Sequence, residues 1–144
     1  MKVYLCCGNK TGVRNPDEWT GFDIRRPCDV IQDVRTLDGR RFWDAEMIFA
    51  TPPCDGFTDL PWRPATGKHL DVLMACWRIC NEAGVPWLLE NSRFARKYLG
   101  PAMCHRDSHY FWGTIPVPGF HRSIPKERMS GRNPLARAAL PVFL

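Results

Sequence analysis

No stretch of this sequence is apolar for long enough to span a membrane, and its first residues lack the pattern of a secretory signal peptide. These absences favour a cytoplasmic protein that has no membrane partner. In that compartment the seven cysteines are expected to be reduced thiols. Seven is also an odd number, so the cysteines cannot all pair within one chain.

Internal repeats and low-complexity tracts are absent as well, and the overall composition is that of a folded domain. The 144 residues are enough for one domain with a substantial core, but not for two. Hydrophobic residues make up 44% and charged residues 24%, which is the balance of a globular protein. The formal net charge of +5 fits a polyanionic partner but is too small to identify one.

The most informative stretch, residues 45–56, begins as a short apolar run and ends in two prolines followed by Cys54. The apolar run predicts a buried strand. Open α/β folds place their ligands at the carboxyl ends of strands, and the prolines would fix the backbone there. A thiol on such a turn could act as a nucleophile. Cys54 could equally be an ordinary loop cysteine, since one cysteine without partners is weak evidence.

Other segments have the patterns of strands and of one helix. Apolar residues recur at helical spacing over 67–83, and Gly84 predicts the end of that helix. About eleven residues separate the first two predicted strands, so a full helix barely fits between them. Besides the strand that precedes Cys54, we predict strands at 2–7, 19–24, 29–34, 85–89 and 108–115.

The chain changes character near residue 116. Residues 1–115 are predicted to form the folded domain. Residues 116–144 are rich in proline and basic side chains, and we predict an extended tail with a short helix at 135–140.

Three carboxylates lie at or just after the ends of predicted strands, namely Asp23, Asp33 and Glu90. Each of them alone is more often a turn or cap residue than a ligand. Asp23 and Asp33 together fall at the sheet edge expected for Cys54, where carboxylates of nucleotide-binding folds contact ribose or adenine. Glu90 is also a candidate acid or hydrogen-bond anchor. The glycine-bounded loop 8–12 could contact a phosphate or a cofactor carboxylate, or could be a plain turn.

Two further groups of residues have both a functional and a structural interpretation. Cys76 and Cys80 are four residues apart on the predicted helix and could bind zinc, but no second pair has ligand spacing, so core thiols are favoured. Arg93, Arg96 and Lys97 form a small basic face that could contact phosphates or simply be solvated.

Four of these segments, taken in order and at their spacings, resemble the cytosine-5 DNA methyltransferases, especially compact versions from phages and prophages. The Pro-Pro-Cys and Glu-Asn sequences are the most specific part of this resemblance, which is weaker after residue 115. The segments are GFDIR at 21–25, DVIQDV at 29–34, TPPC at 51–54 and LLEN at 88–91.

The resemblance implies a single Rossmann-like α/β methyltransferase domain. Its sheet would be mostly parallel, its first crossover shortened, and a separate target-recognition domain absent. Cys54 would attack carbon 6 of cytosine, and Glu90 would hold the base by its N3 and amino edge. Asn91 would orient the loop. Arg106 is the nearest candidate for the family's late arginine, and His109 stands where an arginine would be expected.

The implied methyl donor is S-adenosylmethionine and the implied partner is DNA, in a host cytoplasm if a phage encodes the chain. Target recognition would then come from a homodimer or a partner protein. The family's first motif is a Phe-x-Gly-x-Gly loop, which residues 7–12 match poorly. The residues that would bind the cofactor are Gly8, Asp23, Ile24, Asp33, Val34 and Pro52.

Two other functions remain open on the sequence. A degenerate methyltransferase fold could bind nucleic acid or S-adenosylmethionine without transferring a methyl group, as the altered first loop suggests. An enzyme that acts on free cytosine nucleotides would explain why no recognition domain is present.

Overall fold

A computed structural model describes residues 1–62 and 64–117, together with the backbone of residues 121–122. The helices are α1 (Leu70–Ala83) and the single turn α2 (Arg96–Leu99). The strands are β1 (Lys2–Leu5), β2 (Trp19–Asp23), β3 (Val30–Ile31), β4 (Met47–Ala50), β5 (Trp87–Asn91), β6 (Cys104–Arg106), β7 (His109–Gly113) and β8 (His121–Arg122).

All of these strands belong to one sheet, in the order β3-β2-β1-β4-β5-β7-β6-β8. The first five strands in this order pair in parallel. The β7 strand is antiparallel to both β5 and β6, and β8 is antiparallel to β6. The predicted α/β class is confirmed, but the sheet is mixed, so the prediction of a mostly parallel sheet is only partly right. The reason is the two-residue turn Asp107-Ser108 between β6 and β7, because so short a connection can only join antiparallel strands.

One face of the sheet is covered by α1. Alternate residues of the parallel strands point to this face and are fully buried, for example Val3 and Ile48, which pack with Leu73 and Ile79 of the helix. Burial of each such aliphatic side chain contributes about 1.5–3 kcal/mol. The helix ends at Gly84, whose φ of 69° is the left-handed value expected after a helix C-terminus. Cys76 and Cys80 lie in this core with no exposure.

The opposite face of the sheet carries aromatic side chains, and no helix of the described residues covers it. The described residues 6–18 between β1 and β2 form a loop with one 3-10 turn, Pro16–Glu18, which agrees with the short spacing in the sequence. On this face Tyr4 stacks on Phe49, with 5.0 Å between ring centroids. An apolar groove of about 570 Å³ runs along it.

Several predicted boundaries shift for local reasons. The first strand ends at Leu5 instead of residue 7, because Cys6 has a left-handed φ of 54°. The predicted strand 29–34 shrinks to Val30–Ile31, because Asp33 caps a 3-10 turn that begins at Val34. The strands β6 and β8 were not predicted. The helix predicted at 135–140 lies outside the described residues, as does most of the predicted tail.

Candidate active site

The turn that carries Cys54 is held rigidly after β4. The backbone N–H of Thr51 donates to the carbonyl of Leu5 at 3.1 Å, which keeps the chain against β1 for one more residue. The carbonyl of Cys54 then accepts the hydroxyl of Thr58 at 2.7 Å. A Cβ on Gly56 would lie 1.7 Å from the carbonyl oxygen of Lys68, so only glycine allows this close approach. The Cys54 residue itself is exposed.

Glu90 and Asn91 end β5, the parallel neighbour of β4. Successive side chains of a strand point to opposite faces, so Asn91 lies on the face of the sheet that α1 covers, while Glu90 lies on the opposite face. Asn91 is only 2% exposed. Its Nδ2 donates to the carbonyl of Pro52 at 2.7 Å, and its Oδ1 accepts the N–H of Ser92 at 2.8 Å. Asn91 therefore ties the end of β5 to the turn before Cys54.

Cys54 and Glu90 line the same cavity, which has a volume of about 570 Å³ and is called the cysteine cavity below. Within this cavity, Nδ1 of His109 lies 2.7 Å from Oε1 of Glu90. A carboxylate can only accept, so the imidazole donates this hydrogen bond. The other described lining residues are Thr58, Leu60, Ser92, Arg93, Phe94, Asp107, Ser108 and Tyr110.

The resemblance singled out His109 only as standing where an arginine would be expected, and its contact with Glu90 was not predicted. That contact depends on the antiparallel pairing of β7 with β5, which was not foreseen. Arg106 ends β6, is exposed, and pairs with His109 in the ladder. The described lining residues of the cysteine cavity include its neighbours Asp107 and Ser108 but not Arg106.

A second cavity, of about 510 Å³, lies at the carboxyl ends of β1 to β4 and is called the cofactor cavity. In the parallel half of the sheet, β1 lies between β2 and β4, so the chain moves outward in both directions from this point. Such a switch point is where open α/β sheets bind their ligands. Most of the residues predicted to bind the cofactor line it, namely Gly8, Asp23, Ile24, Asp33 and Val34.

Pro52 is the exception among the predicted cofactor residues. It is buried, and its carbonyl accepts the hydrogen bond from Asn91. Its neighbour Pro53 is the proline that lines the cofactor cavity, together with Thr51. The two prolines therefore have different roles, because Pro52 is buried and Pro53 lines the cofactor cavity.

Local hydrogen bonds orient two of the three carboxylates that line the cofactor cavity, Asp23 and Asp33. Asp23 accepts the backbone N–H of Gly8 at 3.0 Å, which fastens the loop after β1 to the end of β2. Asp33 accepts the guanidinium of Arg35, whose hydrogen bonds lower the pKa of the Asp33 carboxyl below its usual range. Asp33 is therefore charged at neutral pH, and both of its oxygens already accept hydrogen bonds from Arg35.

Cys54 is exposed, whereas the other cysteines are buried or half-buried. Burial raises the pKa of the Cys7 thiol to about 11 and that of Cys80 to about 12. The pKa of Cys76 is also raised, by its hydrogen bond with Cys6 and then by burial. Because the thiolate is the reactive form, these three thiols are poor nucleophiles at neutral pH. Within the described residues, no group of three or more His, Cys, Asp or Glu side chains could hold a metal ion.

No helix among the described residues is long and apolar enough to cross a membrane. No protein-family model matches this sequence, and the search of curated proteins gives no match either.

Proposed function

We propose that this protein transfers a methyl group from S-adenosylmethionine to carbon 5 of cytosine in DNA, through a temporary bond to Cys54. The observation that carries the proposal is the cysteine cavity, where an exposed thiol and a carboxyl group from adjacent parallel strands face the same space. In duplex DNA the target base would have to leave the stack to enter this cavity.

The chemistry assigned to these residues begins with the ring. Carbon 5 of cytosine is a weak nucleophile because its electrons belong to an aromatic system. The Cys54 thiolate adds to carbon 6 while Glu90, which must be protonated for this step, gives the proton of one carboxyl oxygen to N3 as its other oxygen accepts from His109, and carbon 5 becomes an electron-rich enamine carbon. His109 holds the Glu90 carboxyl in place during this step.

The second half of the reaction restores the aromatic ring. S-adenosylmethionine, when bound, supplies an electrophilic methyl group on a sulfonium sulfur. Carbon 5 would use its electron pair to bond to this methyl group while the bond from the methyl group to sulfur breaks, its electron pair staying on the donor as a neutral thioether. The proton of carbon 5 then passes to water, the Cys54 thiolate is expelled from carbon 6, and N3 returns its proton to Glu90.

The cofactor cavity fits this methyl donor in size and in chemistry. Its volume lies within the roughly 300–1,000 Å³ typical of small-molecule sites. Asp23 and Asp33 would accept hydrogen bonds from ribose hydroxyls and from the adenine amino group. Lys68 and Arg25 also line the cavity and would balance the amino-acid carboxylate. A homodimer or a partner protein would provide target recognition.

Covalent trapping tests this proposal. The protein would be incubated with S-adenosylmethionine and DNA that contains 5-fluorocytosine, whose fluorine blocks the loss of the carbon 5 substituent. We expect an adduct that withstands denaturation, and we expect Cys54→Ser to abolish it because a hydroxyl is a far weaker nucleophile. Cys28→Ser is the matched control, since its hydroxyl can keep the contacts of the half-buried Cys28 thiol with the carbonyls of Asp23 and Val30.

The outcomes of this experiment separate the candidate functions. An adduct that persists in Cys54→Ser would remove Cys54 from the chemistry. Binding of S-adenosylmethionine without any adduct would favour the second candidate, a binding protein that transfers no methyl group. The contact between Glu90 and His109 is the observation that favours this alternative, because it occupies an oxygen that a cytosine would need.

A further inference from the structure

A third cavity adjoins the cysteine cavity and is called the aromatic-basic cavity. It has a volume of about 270 Å³. Arg93 and Phe94 line both cavities, so a ligand can continue from one into the other across these two residues. The remaining lining residues are Phe57, Asp59, Ala65, Arg96, Lys97 and Tyr98.

The three cations of this cavity have no acidic ion-pair partner in the part of the chain that the structure describes, although Asp59 also lines the cavity. Within residues 1–62 and 64–117, no carboxylate forms an ion pair with Arg93, Arg96 or Lys97, whereas Arg35 and Arg78 both have acidic partners. All three cations are exposed. Each lies over an aromatic ring instead, and the distances to ring centroids are 4.8 Å for Arg93, 5.6 Å for Arg96 and 5.8 Å for Lys97.

We infer that the aromatic-basic cavity binds the nucleotide next to the target cytosine in the same DNA strand. Its base would lie against the rings of Phe94 and Tyr98, and its phosphates would contact Arg96 and Lys97. Aromatic rings combined with a basic track are the usual means of holding a single strand. The volume is below the roughly 300–1,000 Å³ of sites that enclose a whole small ligand, so the cavity suits one unit of a longer chain. The inference rests on the proposed function for the identity of the neighbouring base.

The inference also decides between two substrates that the sequence left open. A free cytosine nucleotide would fill the cysteine cavity alone and would leave the three cations without a polyanion. A strand would occupy both cavities and gain from each additional phosphate. The enzyme is therefore expected to prefer a strand to a mononucleotide.

The double variant R96Q/K97Q tests the cavity without depending on methyl transfer. Both side chains are exposed, so the variant is expected to fold. The probe is a short labelled oligothymidine with one central cytosine, and its affinity is measured by fluorescence anisotropy over a range of salt concentrations. Two lost phosphate contacts should weaken binding by about tenfold at low salt and reduce the salt slope of log K by about 1.4.

Two single variants control for net charge. Arg40→Gln removes a cation that pairs with Asp38 in the turn Gly39–Phe42 and lines none of the cavities described above, so it should leave affinity and slope unchanged. Asp59→Asn removes the carboxylate of the cavity while keeping an oxygen that can accept the N–H of Ala65, and it should strengthen binding. An unchanged salt slope in R96Q/K97Q, or equal losses in R96Q/K97Q and Arg40→Gln, would overturn the inference.

The rate of adduct formation is then measured with two substrates, the oligonucleotide with 5-fluorocytosine as its central base and the mononucleotide 5-fluorodeoxycytidine monophosphate. We expect the wild type to favour the strand by at least about tenfold, and the double variant to lose most of that ratio. Equal adduct formation with both substrates in the wild type would contradict the inference. Strand binding that depends on residues 96 and 97, without any adduct, would support the cavity while refuting the proposed chemistry.

Discussion

At the scale of single residues, solvent contact is what distinguishes Cys54 from the thiols of the core. Cys76 and Cys80 lie on the inner face of α1, where burial penalises the thiolate. Cys54 follows a strand end, where the chain turns toward solvent. A sequence pattern can place a cysteine after a strand, but the difference in reactivity follows from the surroundings of each thiol.

Replacing His109 tests whether its hydrogen bond positions Glu90 for the reaction. His109→Ala removes the hydrogen bond to Glu90, which contributes little to stability because the His109 side chain is largely exposed. If it positions Glu90 for the base, kcat for methyl transfer should fall by at least about tenfold. Steady-state kinetics with labelled S-adenosylmethionine would measure this loss.

His109→Gln is the matching variant, because a glutamine side chain can still donate to Glu90 and should recover most of the rate. Thermal unfolding should be little changed in both variants, since the His109 side chain is 63% exposed. A faster enzyme after His109→Ala would show that the imidazole blocks Glu90 in the free protein.

At the scale of secondary-structure elements, the site depends on how the ends of β4 and β5 are joined. The strands themselves were predictable, because their apolar runs and the following Pro-Pro-Cys and Glu-Asn sequences are local signals. The hydrogen bond from Asn91 to Pro52 was not predictable from spacing, since it requires the parallel pairing of the two strands. The hairpin of β6 and β7 was missed in part because β6 has only three residues.

Asn91→Ala should loosen the turn that presents Cys54. The variant leaves the Pro52 carbonyl and the Ser92 N–H without their partner, at a cost of about 1–3 kcal/mol in the free energy of unfolding. We also expect slower adduct formation by Cys54, because the thiol would be less well positioned. Urea unfolding and adduct kinetics measure the two effects.

Asn81→Ala is the control for this variant. Asn81 is exposed on α1 and donates only to the carbonyl of Trp77 within the same helix. Its loss should cost less than about 0.5 kcal/mol, as is usual for surface positions. Equal stability losses in the two variants would argue against a special role for Asn91.

At the scale of the whole molecule, the sheet has a parallel half and an antiparallel half, and more of the parallel half was predicted from the sequence. The parallel half was predictable because buried strands leave continuous apolar runs. In the antiparallel half, β7 was predicted as the strand at 108–115, but β6 and β8 are too short to predict and the pairing of β7 with β5 depends on distant residues. The cofactor cavity lies within the parallel half, whereas the cysteine cavity lies where the two halves meet, so the residues that β7 and its turn contribute to the cysteine cavity were not predicted.

Arg35 links two distant parts of the chain, since it contacts Asp33 after β3 and Asp71 at the start of α1. Its hydrogen bonds lower the pKa of both carboxyls. A carboxyl with a lowered folded-state pKa stabilises the fold above its unfolded pKa of about 3.9, and this stability is lost as pH falls through the folded value.

Arg35→Gln should therefore lower stability slightly at neutral pH and have no effect once both carboxyls are protonated in the folded protein. Urea unfolding of wild type and variant from neutral to strongly acidic pH gives this comparison. The difference should be small because these side chains are largely in solvent. A difference that persists at the acidic end would mean that Arg35 acts through packing and not through charge.

The double-proline turn has one more consequence, for the order of events in a reaction cycle. The cofactor and cysteine cavities have no described lining residue in common, but the segment from Pro53 to Asp55 contributes side chains to both. A donor and an acceptor that approach this segment from different cavities would each have a separate entrance and would meet beside the Cys54 thiol. Either one could then arrive first, and a spent donor could be exchanged while the nucleic acid stayed bound, so that one encounter with DNA could serve several turnovers.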